Sequence, residues 1–354
     1  MSTTKKKLDP ARFPRYPDYS VFHAPEDFQN VPPISDAIKG FVQNDAATLF
    51  VGLSGHGKTL VLLSIVKALL SGRKLWGQFK VREKAMRVVY LTPESALIPF
   101  NHRLKLFGLD RYTQDGRLLV HTLSKGLAPR LDDHRILDAV NGAHVFLDTA
   151  IRFGEGEENS ASDNQAGLGK QVFIILGAGA ETVIAAHHSP KQFAKEHTMT
   201  LENMSRGSGD IGATFATAWG IRQLDPERNI LHIQNLKPRD LKPCGPFQIV
   251  GRPYIDTERD FRMHKKPGEC GVLAEEMRSH VGTAGKRSQQ KAKAIVRTGK
   301  LIEELGEDIT DKEIIKEFRK RGWNKELGES TARLYRKLAI EAKPGAKRLG
   351  KANR

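Results

Sequence analysis

The sequence predicts an α/β protein built on a mostly parallel sheet, followed by a small all-α module of helix-turn-helix type. Three observations predict it. From Thr48 onward, short apolar runs alternate with helical stretches, the rhythm of strands joined by crossover helices. One strand-to-helix junction in that run is glycine-rich and ends in Lys-Thr. Over residues 286–354 the pattern changes to three helical segments in a stretch carrying 20 Lys and Arg against 10 Asp and Glu.

A chain of 354 residues has room for about two domains. Its net charge of +16 favours a polyanionic partner such as nucleic acid and excludes no enzyme class. Hydrophobic residues at 39% with 32 Gly and 17 Pro support a sizeable core, which excludes wholesale disorder, collagen and a disulfide scaffold. Cys244 and Cys270 lack the close Cys/His spacing of a zinc site, and two cysteines make no disulfide framework, so a reducing compartment fits. The first residues lack an apolar signal core, and the best apolar stretches are interrupted by Lys67 and Glu181. A cytoplasmic protein with no membrane contact is expected.

Residues 1–30 hold Lys5, Lys6 and Lys7, four prolines and several aromatics with no helical or strand period, and read as an extended arm. Residues 31–265 read as the α/β domain. Its strands are TLFVG, MRVVYLT, LLVHTL, HVFLD and TVIAAHH, with helices after the first, near Ser95 to Phe107 and near Lys170 to Leu176. Ala216 to Leu224 and Asn229 to Leu236, split by the turn Asp225 to Arg228, read as an antiparallel hairpin on the sheet's edge. Residues 266–290, rich in Gly, Ser and charge, read as a linker. Residues 291–342 read as a basic helical domain whose second helix opens with the capping box Thr310-x-x-Glu313, and 343–354 as a disordered basic tail.

Gly52, Leu53, Ser54, Gly55, His56, Gly57, Lys58 and Thr59, running on into Leu60, fit the P-loop pattern between a strand and a helix. Such a loop curls backbone N–H groups around phosphate oxygens at a helix N-terminus, with Lys58 on the β and γ phosphates and Thr59 on Mg2+. ATP and Mg2+ are therefore the expected ligands. Asp148 ends an apolar strand, where a P-loop fold places the second magnesium-shell group, although an Asp there also serves as a plain turn cap. Glu94 follows another strand and is placed to deprotonate an attacking water, the competing reading being an acid favoured by the first helical turn.

In this order the motifs resemble the RecA-like core of hexameric replicative helicases, closest to the RepA type of plasmids and phages. The resemblance rests on GLSGHGKT, VVYLTPESALIPFNHRLKLFG, VFLDTAIRFGEGEENSASDNQ, and TVIAAHHSPK followed by RGSGDIGATFATAWGIRQL and NLKPRD, and spans roughly Pro33 to Ile255. It implies a P-loop NTPase that translocates on single-stranded DNA as a homo-oligomer, a hexameric ring. It makes Glu94 the catalytic glutamate and His187 or His188 the γ-phosphate sensor, where a strand-end histidine otherwise satisfies a backbone carbonyl. Lys237 and Arg239 become fingers offered to a neighbour's site, against the plainer reading of a solvated strand end. It also implies that the polar, basic segment Ser189 to Thr214, with Lys191, Lys195 and Arg206, lines a channel gripping single strands through their phosphates.

The chain departs from the family in three places. His56 inside the loop is unusual. About 50 residues precede the loop, so no primase-binding collar is expected. The C-terminal helices lie outside the resemblance and offer Arg333, Arg336 and Lys337 to duplex DNA, or form a basic solvated cap without a DNA site. They sustain an alternative function: an ATP-switched, duplex-binding replication initiator or regulator that does not unwind.

Overall fold

A computed structural model describes residues 23–153, 161–196, 198–204, 214–251, 260–306, 308–323 and 327–341. Most of the N-terminal arm and the basic tail thus lie outside the described residues. The chain divides into two compact units, Met1–Cys270 and Gly271–Arg354.

The first unit runs through β1 (Asp36–Ile38), β2 (Val42–Gln43), β3 (Ala46–Gly52), α1 (Lys58–Ser71), β4 (Val88–Thr92), α2 (Leu97–Phe107), α3 (Asp110–Gln114) and β5 (Leu118–Thr122). It continues through α4 (His134–Val140), β6 (His144–Leu147), α5 (Ala161–Gly177), β7 (Thr182–His188), α6 (Leu201–Met204), β8 (Thr217–Asp225), β9 (Ile230–Lys237), β10 (Phe247–Gly251) and β11 (Phe261–Lys265). One nine-stranded sheet has the order β11-β10-β9-β8-β3-β7-β6-β4-β5, while β1 and β2 form a separate antiparallel pair. From β8 to β5 every pairing is parallel, and the three strands beyond β8 are added antiparallel.

This α/β architecture is the one the sequence predicts, with one correction at the edge. The expected hairpin is present as β8 and β9, but β10 and β11 pair beyond it, so the edge strand is β11. Strand β3 is buried along all seven residues, because parallel strands covered by helices on both faces must be apolar throughout. Helix α1 is buried on most of its circumference and stops at Gly72, whose left-handed φ of 71° suits a glycine C-cap. Beneath the sheet Phe41, Trp76, Phe79, Trp219 and Phe247 pack ring on ring. Both indole N–H groups are satisfied, Trp219 by Phe41 O and Trp76 by Ser64 Oγ, each at 3.0 Å.

The second unit contains α7 (Leu273–Leu305), α8 (Asp311–Lys320) and α9 (Glu329–Glu341). Helix α7 begins within the segment expected as a linker. Lys, Arg, Gln and Ala dominate residues 284–294, and their high helix propensity outweighs the Gly and Ser that suggested a break. The predicted capping box forms: Thr310 Oγ1 accepts from Glu313 N, and Glu313 accepts from Thr310 N at 2.8 Å. Ile302, Ile314, Phe318, Leu327 and Ala332 make the unit's own small core.

Candidate active site

The loop between β3 and α1 sits where the sheet is deepest, since β3 has a parallel neighbour on each side. At its start Gly52 tolerates no side chain: a Cβ there would lie 2.8 Å from Ile221 O. Gly55 and Gly57 take φ of 78° and 80°, left-handed values that glycine adopts without strain. No side chain caps the N-terminus of α1. Its first amides and its dipole therefore face the loop, which is the arrangement that binds phosphate.

Lys58 is folded into this loop and buried, donating to Gly52 O at 2.8 Å, Leu53 O at 2.9 Å and His188 Nδ1 at 3.1 Å. Burial pulls its pKa down to about 8, while Asp148 and Glu94 push the other way. His56 is a strut: its Nδ1 accepts from Gln223 N at 3.1 Å, tying the loop to β8. Burial, then Arg222 and Lys58, lower its pKa to about 4, so the ring is neutral near pH 7.

Parallel register carries three further residues to the same C-terminal sheet edge. Asp148 follows β6 and is buried, with Tyr90 donating to its Oδ2 at 2.9 Å and Thr59 hydrogen-bonded to its carboxylate. Burial raises its pKa against both hydrogen bonds. Glu94 follows β4, and its Oε1 accepts from Arg152 Nε at 2.7 Å and Thr149 Oγ1 at 3.0 Å. The neighbouring His188, with Arg152 and Thr149, holds the Glu94 carboxyl at about 2 against the opposing effect of burial.

The two strand-end histidines separate by the period-2 alternation of β7. His188 stands between Lys58 and Glu94, its Nε2 4.0 Å from Glu94 Oε2. An ammonium only donates, so Nδ1 of His188 accepts and the ring proton sits on Nε2, toward Glu94. His187 is buried on the other side of the strand. Geometry thus brings together Lys58, Thr59, Asp148, Glu94 and His188 and leaves His187 out.

Lys237 and Arg239 lie elsewhere. Lys237 pairs with Ala218 near the start of β8, so it stands at the opposite sheet edge from the P-loop. Its Nζ donates to Phe215 O at 2.8 Å. Arg239 is past the end of β9 with φ of 37°, so strand alternation does not carry through to it, and its exposed guanidinium lies 3.9 Å from Asp240. The simple two-apart argument for a shared face therefore fails, although both stay at one end of the hairpin.

The segment after β7 is more built than a polar loop suggests. A short 3-10 helix spans Lys191–Lys195, and Arg222 of β8 donates to Phe193 O at 3.1 Å and Ala194 O at 2.7 Å. Lys191 and Lys195 remain exposed, while Arg206 lies outside the described residues. In the second unit Arg333 and Lys337 are exposed one turn apart on α9, with Arg333 paired to Asp311 at 3.1 Å and Arg336 partly buried.

Sequence reasoning missed Tyr90, Thr149 and Arg152. A hydroxyl inside the otherwise apolar VVYLT was a usable signal for Tyr90. Nothing in the sequence distinguishes Arg152 from other basic residues after a strand. Among the described residues no three His, Cys, Asp or Glu cluster as metal ligands. The Thr59 hydroxyl beside the buried Asp148 carboxylate is nonetheless a hard, oxygen-only pair, which fits Mg2+ completed by water and phosphate.

A glycine-rich loop at the end of a central parallel strand, with carboxylates after the second and third strands along, defines a RecA-like P-loop ATPase. The chain belongs to the AAA-domain family: the model of that family matches residues 10–194, 185 of the 354. That span includes the P-loop, Glu94, Asp148 and both histidines and ends before Lys237. A KaiC-like protein of the archaeon Pyrococcus horikoshii is similar in structure at 16% identity and TM-score 0.45, over 66% of this chain and 100% of its own. The ATPase domain of G40P (12% identity, TM-score 0.44) covers 58% of this chain and 81% of its own. A DnaB-like replicative helicase, described with its primase interactions (12%, 0.45), covers 64% of each. A search of curated proteins finds no match. No helix among the described residues is long and apolar enough to cross a membrane.

Proposed function

We propose that the protein is a Mg-ATP-hydrolysing DNA motor that works as a ring; the observation that carries this reading is the juxtaposition of Lys58, Thr59, Asp148, Glu94 and His188 at one sheet edge.

ATP binds with its phosphates on the loop amides and Lys58, and Thr59 and Asp148 would hold a magnesium ion, which would supply charge neutralisation at the phosphates. Glu94 takes a proton from water as the water oxygen bonds to the γ phosphorus and the bond to the ADP oxygen breaks. His188, touching both Lys58 and Glu94, senses whether a γ phosphate is present.

Lys237 and Arg239, at the sheet edge away from their own P-loop, serve a neighbouring subunit's site, which makes hydrolysis depend on assembly. The basic Lys191–Lys195 segment, tied by Arg222 to β8, meets single-stranded DNA in the ring's channel. The reading is that of a replicative helicase of a plasmid, phage or mobile element, working in the cytoplasm.

Steady-state ATP hydrolysis without DNA, with mixed-sequence single strand and with duplex tests this, with Lys58→Ala as the control for contaminating activity. Single-strand stimulation that disappears in Lys58→Ala is the expected result. Equal slow turnover in all three conditions sinks the motor. One observation favours a second reading, the exposed Arg333 and Lys337 on α9. A duplex-binding regulator would bind a particular duplex tightly and keep that binding in Glu94→Gln.

A further inference from the structure

Glu94 is more heavily engaged than a general base in waiting needs to be. Its Oε1 receives two hydrogen bonds, from Arg152 Nε at 2.7 Å and from Thr149 Oγ1 at 3.0 Å. On the other side His188 Nε2 stands 4.0 Å from Oε2. Arg152 and Thr149 belong to one short turn directly after Asp148, the turn that opens the 3-10 helix Ala150–Phe153. A carboxylate held by a guanidinium and a hydroxyl is a weak base, because each donor stabilises the ionised form it would have to give up.

We infer that Arg152, assisted by Thr149, is a positioning residue that clamps Glu94 in a low-basicity state, and that turnover requires the clamp to open. The inference rests on the proposed role of Glu94 as the base. Arg152 is half-exposed, so replacing it removes no core packing, whereas the ion pair it makes is direct and short. The turn also links the two carboxylates, since Thr149 is bonded to Asp148 through the backbone and donates to Glu94 through its hydroxyl. Were Asp148 to shift when it holds a cation, the donors on Glu94 would shift with it, which would link nucleotide occupancy to release of the base.

The test compares full-length Arg152→Ala, Arg152→Lys and Glu94→Gln with the unaltered chain for kcat and KM, with and without single-stranded DNA. A charge-assisted hydrogen bond of this kind predicts that Arg152→Ala raises DNA-free kcat by about tenfold, with KM for ATP little changed. The stimulation by DNA shrinks correspondingly, and Arg152→Lys, which keeps the charge, returns kcat toward the original low value. A lower or unchanged kcat in Arg152→Ala overturns the clamp, a raised KM at unchanged kcat assigns Arg152 to nucleotide binding instead, and equal effects of Ala and Lys also overturn it. Glu94→Gln separates the two ideas. If it leaves hydrolysis intact, the assignment of the base fails. If it abolishes hydrolysis while Arg152→Ala is slow, only the clamp fails.

Discussion

Lys58 and Glu94 have in common that each is partnered inside the chain, so the charge state of each is set by the folded structure. Folding also sets the charge of two histidines, His144 and His56, whose pKa values burial lowers from 6.5 to about 4. Between pH 6.5 and 4 the unfolded chain binds protons at these positions that the folded chain does not. Stability is therefore full above pH 6.5 and falls as pH drops through that window. His144, the more buried of the two, contributes a loss on the order of 3 kcal/mol. Glu94, lowered from 4.5 to about 2, adds a second loss in the same direction below pH 4.5. Chemical denaturation at pH 7, 5.5 and 4 should show this slope, and His144→Gln should flatten its upper part. A stability that stays level from pH 7 to 4 would contradict the assignment.

At the scale of elements, β8 connects the P-loop to the segment after β7. Its Gln223 N–H holds His56, its Arg222 holds Phe193 and Ala194, and its Gly220 makes room for two methionines. A Cβ at Gly220 would fall on Met199 Cε and lie 2.7 Å from Met204 Sδ. Methionine tips can swing aside, so Gly220→Ala should cost about 1–2 kcal/mol and displace the 198–204 segment while β3 and the P-loop persist. The expected pattern is nucleotide affinity retained and single-strand stimulation reduced, read by nucleotide titration beside turnover. In the second unit the Thr310 capping box satisfies the first amides of α8. Thr310→Ala should lower the melting midpoint of that unit by roughly 5 °C, measurable by calorimetry, without changing DNA-free turnover.

For the whole molecule, the sheet edge bearing the P-loop and the hairpin end bearing Lys237 and Arg239 are opposite in one chain. A finger that serves a neighbour makes a specific prediction for mixtures. Lys58→Ala and Arg239→Ala chains, each inactive alone, should regain part of the activity when mixed, because some interfaces then pair an intact loop with an intact finger. No recovery at any ratio would place Arg239 outside the reaction. The +16 charge adds a second expectation, that single-strand affinity falls steeply with salt, as phosphate contacts release counterions.

Local pattern was enough for whatever depends on neighbours in sequence. The P-loop, the buried strands β3 and β7, and the Thr310 capping box were legible because their geometry arises within a few residues, from glycine φ, side-chain alternation and helix capping. The added strands β10 and β11 were not, since each is only five residues long and its pairing is with partners on an existing sheet. The 273–290 stretch reads as a linker by composition and is helix by propensity, two local signals in conflict. Only the tertiary structure set His188 beside Lys58 and Glu94, put Tyr90 on Asp148 and brought Arg152 and Thr149 to Glu94. These are contacts between residues 55 to 130 positions apart, set by the parallel register of β3, β7, β6 and β4. Sequence names the chemical groups available, and register decides which of them meet, because a one-residue step along a strand turns a side chain to the other face of the sheet.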